Sequence, residues 1–408
     1  MADTYRVLTR RMETTGDDLG ILGFGCMRFP RKYGATDMDR AERQVMRAIA
    51  AGVNYFDTAY LYPGNEKALG TILAKEDDGV KRRDRVKIAT KLPLMLVKNE
   101  DDLDKMFRTS LERLQTDRID YYLMHNINNL DEWERMKRLG VLDFIGRIRA
   151  NGSVKHIGFS YHGNLHDFKV VVDDYPWDFC QIQYNYLDEN FQAGREGLKY
   201  AAAKGLGIVV MEPLRGGMLI DKMPPAAKKI IDGYTDGSGA KRSAAEWGLR
   251  WIWNHPEVAT VLSGMNEEAH IDENVRVASD AAADSLTAED LAMLGRVRNV
   301  FKSAVKVGCT GCSYCMPCPA GVNIPLCFAL YNNKYILGSL SNTISYIMYT
   351  DGIGNPPSKA SLCKKCGVCE KKCPQNIPIM SSLEDVAREM ENPLLRLPVR
   401  IAGKLMGR

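Results

Sequence analysis

Eight short apolar or β-branched runs recur through the first 300 residues, separated by charged amphipathic segments. The runs are ILGFGCMRF, VNYFDTA, VKIATKL, IDYYLMH, VKHIGFS, CQIQYNY, GIVVMEP and ATVLSGM. Segments such as DRAERQVMRAIAAG and EDDLDKMFRTSLERLQ read as helices. Ala41, Val45, Ala48 and Ile49 fall on one face at helical spacing, and Gly52 stops the run. Strand, helix, strand repeated with short loops predicts parallel strands joined by crossover helices. Eight such units in about 250 residues is the size of a (β/α)8 TIM barrel. The alternative, a doubly wound open sheet, would carry a Gly-rich phosphate turn after its first strand. Gly23 and Gly25 in LGFGCM do not open a helix in that G-x-G-x-x-G form. Residues 8–20, with the turn TTGDD, predict a hairpin at the N-terminal end of the barrel. Thr-Ala-Glu-Asp predicts a helix over 287–303 that leads out of it.

The composition fits a globular chain and excludes several function classes. Apolar residues make up 45% and charged residues 26% of 408 positions, which excludes a disordered chain. A net charge of +4 is too small to argue for a nucleic-acid partner. No run of apolar residues is long enough to span a membrane. The start, MADTYRVLTRRME, has no apolar h-region, so a cytoplasmic location is expected.

Nine of the 11 cysteines lie between Cys309 and Cys373, and that skew marks a boundary near residue 300. The expected division is a barrel over 1–300, a cysteine-rich module over 301–385 and a basic tail over 386–408. Cys309, Cys312, Cys315 and Cys318 read C-x2-C-x2-C-x2-C-P; Cys363, Cys366, Cys369 and Cys373 read C-x2-C-x2-C-x3-C-P. The second is the run that bacterial-type ferredoxins use for [4Fe–4S] clusters. Thiolates at i, i+3 and i+6 wrap three corners of one cubane, and the fourth, before a proline, reaches the other cluster. The expected pairing is Cys309, Cys312 and Cys315 with Cys373, and Cys363, Cys366 and Cys369 with Cys318. Two zinc sites are the alternative, but zinc usually pairs two C-x2-C knuckles without a third cysteine at i+6. The shorter last spacing of the first run leaves Cys318 open to exchange with Cys327, although a buried apolar role suits Cys327 better. The 44 residues between Cys318 and Cys363 predict a mostly helical, ferredoxin-like iron–sulfur domain.

The C-terminal ends of parallel barrel strands carry chemistry. Asp57 follows VNYF, Lys91 follows KIAT and His125 follows YYLM, each 34 residues from the next, with Tyr62 in the loop DTAYLY. Such a set suits carbonyl reduction. A buried Lys lowers the pKa of a neighbouring Tyr, an Asp compensates the Lys, and a His orients the carbonyl oxygen. Each residue alone has a bland reading as a cap or surface ion pair; their joint spacing disfavours it.

With LGFGCM, FDTAYLY, ATKL, LMHN, GFSYHG, QIQYNYL and MEPLRGG in these strands, residues 5–300 resemble the aldo-keto reductase superfamily. With the cysteine region, the chain resembles its ferredoxin-fused branch, found chiefly in anaerobes. The resemblance implies Asp57, Tyr62, Lys91 and His125 as the catalytic tetrad. It implies Ser160 and Gln181 as contacts of the nicotinamide carboxamide, Glu273 and Asn274 as contacts of adenine, and further cofactor contacts at Gly25, Met211, Leu214, Arg215 and Gly264. The chain departs from the family at several of these positions. Tyr161 stands where Asn is frequent, and Met211 replaces the stacking aromatic. Gly264-Met265 and His270 replace the cations that bind the 2′-phosphate of NADPH, so NADH is expected over NADPH. Arg276 and Arg215 remain as substitutes.

A nicotinamide moves two electrons as hydride, whereas a [4Fe–4S] cluster passes one. A flavin would bridge the mismatch, with Arg215-Gly216-Gly217 as a cradle for its phosphate. The sequence therefore predicts an oxidoreductase acting on a small carbonyl or alcohol, with its clusters facing an external ferredoxin or similar carrier. The second reading is an electron-transfer or redox-sensing protein whose barrel is a scaffold.

Overall fold

The computed structural model describes residues 5–309, 311, 314–337, 340–351, 356–373, 376–395 and 398. Eight parallel strands close into a barrel: Leu22–Gly25, Tyr55–Asp57, Lys87–Pro93, Ile119–Ile127, Val154–Tyr161, Phe179–Gln183, Gly207–Met211 and Val258–Ser263. They follow one another around the ring in chain order, and the eighth pairs with the first through Val261 and Leu22. All eight runs expected as strands are strands. The intervening helices bury one stripe, as Met38–Ala50 buries Ala41, Val45 and Ala48. Asp37 caps that helix by accepting from the Arg40 amide. Gly52, just beyond it, adopts φ +94, which a side chain would strain.

The expected N-terminal hairpin is present, Thr9–Met12 pairing antiparallel with Asp17–Gly20. Its Met12 and Leu19 join Tyr55, Tyr121, Phe179 and Val209 in the apolar filling of the barrel. Tyr121 donates to Asp17 over 2.9 Å, and Lys87 pairs with the same carboxylate at 2.9 Å, tying the hairpin in place. Two small hairpins, Arg31–Lys32 with Ala35–Thr36 and Glu76–Asp77 with Val80–Lys81, lie in loops that the strand pattern does not reveal.

The chain divides into two compact units, one running to Gly216 and including Arg242–Ala288, the other taking Gly217–Lys241 and the chain from Glu289 onward. Residues 217–241, expected within the barrel, group with the second unit, where the Tyr234 hydroxyl donates to the buried Asp290 carboxylate over 2.9 Å. The second unit is helical. Ile324–Leu337, Leu340–Thr350 and Ile379–Met390 enclose a core that includes Val322, Phe328, Tyr346 and Leu383. The last helix runs past residue 385 and buries Val386 and Met390, so the chain there is core rather than tail. Most of the basic tail, Arg396, Arg400, Lys404 and Arg408 with it, lies outside the described residues. No described helix is long and apolar enough to cross a membrane.

Candidate functional site

Alternation along parallel strands builds the rim of the barrel in layers. Tyr55, Ala89 and Tyr121 point inward together, with the Tyr55 and Tyr121 rings 5.0 Å apart. Two residues further along each strand come Asp57, Lys91 and Leu123, and then His125. Register fixes their heights: Asp57 lies opposite Gly25, Lys91 opposite Leu123, and Pro93 opposite His125. The Lys91 ammonium donates to both Asp57 oxygens at 2.7 and 2.6 Å and to the Thr58 carbonyl at 2.8 Å. Lys91 is 1% exposed and Asp57 4%, so this is a desolvated ion pair with the ammonium's three donors spent. Burial pushes the Asp57 carboxyl up, and Lys91 opposes that push.

Tyr62 sits in the turn that starts the next helix, its amide on the Ala59 carbonyl and its own carbonyl accepting from Asn65. Asn65 anchors the turn through its side-chain amide, which donates to the Cys26 carbonyl over 2.7 Å. The Tyr62 ring lies 5.4 Å from the Lys91 ammonium and 6.2 Å from the His125 ring, edge-on at 85°. The structure thus brings Asp57, Tyr62, Lys91 and His125 to one place. It corrects one expectation: the Tyr62 phenol is pushed above its ordinary range, not below it, by burial and then by Asp57 and Glu212. With its donors committed elsewhere, Lys91 acts on the ring through its field. His125 is pushed well below the ordinary histidine range by burial, Lys91 and His162, and its buried Nδ1 has no hydrogen-bond partner.

Ser160 and Gln181 face each other across the fifth and sixth strands. The Asn126 amide donates to Ser160 Oγ over 2.7 Å, leaving the hydroxyl proton to give. Gln181 donates to the Met211 sulfur over 3.3 Å, while its Oε1 is buried without a partner. An orphaned carbonyl beside a serine hydroxyl fits a carboxamide, which offers one donor pair and one acceptor. Leu214 is buried on the surface that Gly248 leaves open. Arg215 is bound in a bidentate pair to Asp188, both contacts 2.6 Å. Arg276 donates to Glu246 over 2.6 Å. Glu273 accepts from Ser243 over 2.6 Å, and Asn274 donates to Ser263 over 2.9 Å. Both arginines left open as phosphate ligands are therefore spoken for, and Glu267 and Glu268 pair with Arg40 at the same helix start.

Sequence reasoning passes over Arg28 and His162. Arg28 follows the first strand. Its stem packs where a side chain at Gly264 would be, and its guanidinium where one at Gly216 would be. It is exposed and makes no ion pair or hydrogen bond among the described residues. The only signal in sequence is one basic residue in CMRF. His162, two residues beyond Ser160, lies near Gln192, Glu212 and His125, and burial pushes it below the ordinary histidine range.

Of the eight sequence-predicted cluster ligands, Cys315 and Cys369 are buried, Cys309, Cys318, Cys363 and Cys373 half-buried, and Cys366 exposed; Cys312 lies outside the described residues. All of the first six pack on one core. The Gly311 and Lys365 amides turn toward the sulfurs of Cys309 and Cys363 at 3.5 and 3.4 Å, the two-residue turn that lets amides bond a cluster thiolate. Among the described residues no three Cys, His, Asp or Glu side chains converge to metal-ligating distance. The donor set itself, thiolates with amides aimed at them on a shared core, suits iron–sulfur binding. Cys327 is fully buried and spends its thiol on Tyr346 and Ser358, and burial pushes it up to about 12, as expected of a core residue.

Comparison with known proteins agrees with both units. The Aldo/keto reductase family matches residues 21–298, and the 4Fe-4S dicluster domain matches residues 308–379. L-galactose dehydrogenase of Arabidopsis thaliana is 26% identical over 318 residues, 72% of this chain and 97% of that one. D-galacturonate reductase of Fragaria ananassa is 26% identical over 63% of this chain and 82% of its own. Among solved structures, the holo form of an aldo-keto reductase from Bacillus halodurans superposes with a TM-score of 0.58 at 25% identity, over 72% of this chain and 96% of that one. The chain is an oxidoreductase of the aldo/keto reductase family, extended at its C-terminal end by a 4Fe-4S dicluster domain.

Proposed function

We propose that the barrel reduces a small carbonyl compound, or oxidises the corresponding alcohol, with NADH as its partner and Tyr62 as the proton donor and acceptor. The observation that carries this reading is the buried Asp57–Lys91 pair beneath the Tyr62 ring, with a neutral His125 edge-on beside it. When bound, NADH supplies the hydride. Gln181 Oε1 and the Ser160 hydroxyl would hold its carboxamide, and Arg28, on the loop after the first strand, would meet its phosphates near the ends of strands seven and eight, where barrels of this kind place a phosphate. The Tyr62 hydroxyl holds the substrate oxygen and gives it a proton as charge develops there. Its raised pKa keeps it protonated at neutral pH, the form that reduction needs. Lys91, fixed by Asp57, stabilises the negative charge left on the phenol. His125, held neutral, donates to the same substrate oxygen from its outer nitrogen.

NADH is favoured over NADPH because Arg215 and Arg276 are already paired and Glu267, Glu268 and Glu273 crowd the adenine end. Two relatives named for hydroxylated sugars and sugar acids make a sugar-sized aldehyde the first substrate to test. In the second unit, Cys309, Cys312, Cys315 and Cys373 would hold one [4Fe–4S] cluster, and Cys363, Cys366, Cys369 and Cys318 the other. The test is preparation without oxygen, followed by iron and sulfide analysis, identification of any released organic cofactor, and assay of NADH oxidation with galactose- and galacturonate-like carbonyls. About eight irons per chain are expected for two clusters. A released flavin would make it, rather than NADH, the resident partner of the barrel. Undiminished turnover by Tyr62→Phe would overturn the tetrad.

A further inference from the structure

The segment Cys363–Cys373 combines the exposed cysteine among the described cluster ligands with a concentration of positive charge. Lys364, Lys365, Lys371 and Lys372 are all exposed and alternate with Cys363, Cys366, Cys369 and Cys373. The acids nearby do not offset them. Glu370 is half-buried and accepts from the Met380 amide, Glu384 pairs with Lys365, and Asp385 pairs with Arg388. Lys364, Lys371 and Lys372 have no ion-pair partner among the described residues. Val368, 37% exposed, lies among them as an apolar contact point.

We infer that this collar of lysines around Cys366 is the docking surface for an acidic one-electron carrier protein. The inference rests on the reading of Cys363, Cys366 and Cys369 as cluster ligands. Electron transfer needs the two redox centres close, and the exposed ligand marks where the second cluster comes nearest the surface. A positive rim around it attracts an acidic partner, orients it and raises its encounter rate. In the step itself, one electron leaves the reduced carrier and one arrives at the cluster. No bond forms or breaks, and no proton moves. A lysine cluster also suits an anionic membrane, but a single exposed valine gives little to insert.

The experiment uses the full-length holoprotein prepared without oxygen, mixed rapidly with a reduced acidic bacterial ferredoxin while cluster absorbance is followed. The second-order rate should fall steeply with salt, and Lys364→Glu/Lys371→Glu/Lys372→Glu should slow it at least about tenfold at low ionic strength. Iron content and reduction by dithionite should stay unchanged. Lys364→Gln/Lys371→Gln/Lys372→Gln, which removes the charge without reversing it, should give an intermediate rate with iron content unchanged, so that a disturbed cluster loop is told apart from lost steering. Lys98→Glu/Lys105→Glu/Lys199→Glu, the same charge change at exposed lysines of the barrel unit, should retain the wild-type rate. A rate insensitive to salt and to the collar, or slowed equally by the control, would overturn the inference. So would collar-dependent binding to phosphatidylglycerol vesicles without collar-dependent reduction. Wild-type protein without iron would overturn the cluster reading and this inference with it, whereas full iron with collar-independent reduction would overturn the docking surface alone.

Discussion

On the mechanism proposed above, Tyr62 and Lys91 divide one task between a group that moves a proton and a group that cannot. Lys91 commits its three donors to the two Asp57 oxygens and the Thr58 carbonyl, so it is a fixed charge 5.4 Å from the phenol ring rather than a partner in transfer. Tyr62→Phe should lower turnover about 10²–10⁴-fold with NADH affinity unchanged, measured by steady-state kinetics and by nucleotide fluorescence. Lys91→Met should also destabilise the fold, since removing one member of a buried pair costs about 3–5 kcal/mol; urea titration checks it. Because His125 is already neutral, carbonyl reduction should show no His125 inflection between about pH 6 and 9. An inflection there that disappears in His125→Gln would contradict the assignment. Arg28→Ala should weaken NADH binding about 10- to 150-fold and flatten its salt dependence, as expected for the loss of one charge-assisted contact of about 1.5–3 kcal/mol. Lys at the same position should recover only part of it.

At the scale of strands and helices, much was legible because burial imposes a period. All eight barrel strands are visible as apolar runs and the entry hairpin by its turn TTGDD, while Asp57, Lys91 and His125 stand out by their 34-residue spacing. What was not legible depends on approach between elements distant in sequence. Arg28 is informative only because Gly216 and Gly264, far along the chain, both leave room for it. The pairing of Arg215 with Asp188 and Arg276 with Glu246 likewise crosses between loops and helices, and nothing local announces it. The direction of the Tyr62 shift was misread because a neighbouring lysine is visible in sequence while the depth of burial is not. The two-residue strands at Arg31–Lys32 and Glu76–Asp77 are too short to carry a period. The hairpin predicts its own test: Met12 fills the space that Gly207 leaves. Met12→Ala should cost about 2–5 kcal/mol in thermal or urea unfolding.

For the whole molecule, acid should be destabilising in a specific window. Burial is the first cause that holds His125, His156, His162 and His255 below the ordinary histidine range. Below about pH 6.5 the unfolded chain takes up protons on these imidazoles that the folded chain refuses, so stability is lost as pH falls. Calorimetry from neutral pH downward should show the midpoint dropping, and less so in His156→Gln.

The ring itself has a consequence for how the protein is born. Leu22 of the first strand finds its second neighbour in Val261, 239 residues later. At ~5–20 residues per second of synthesis, a nascent chain waits roughly 10–50 s with that edge unpaired. A ribosome-released fragment stopping after Asn254 would carry two raw sheet edges and should aggregate. The same fragment supplied with the missing stave as a peptide should stay in solution.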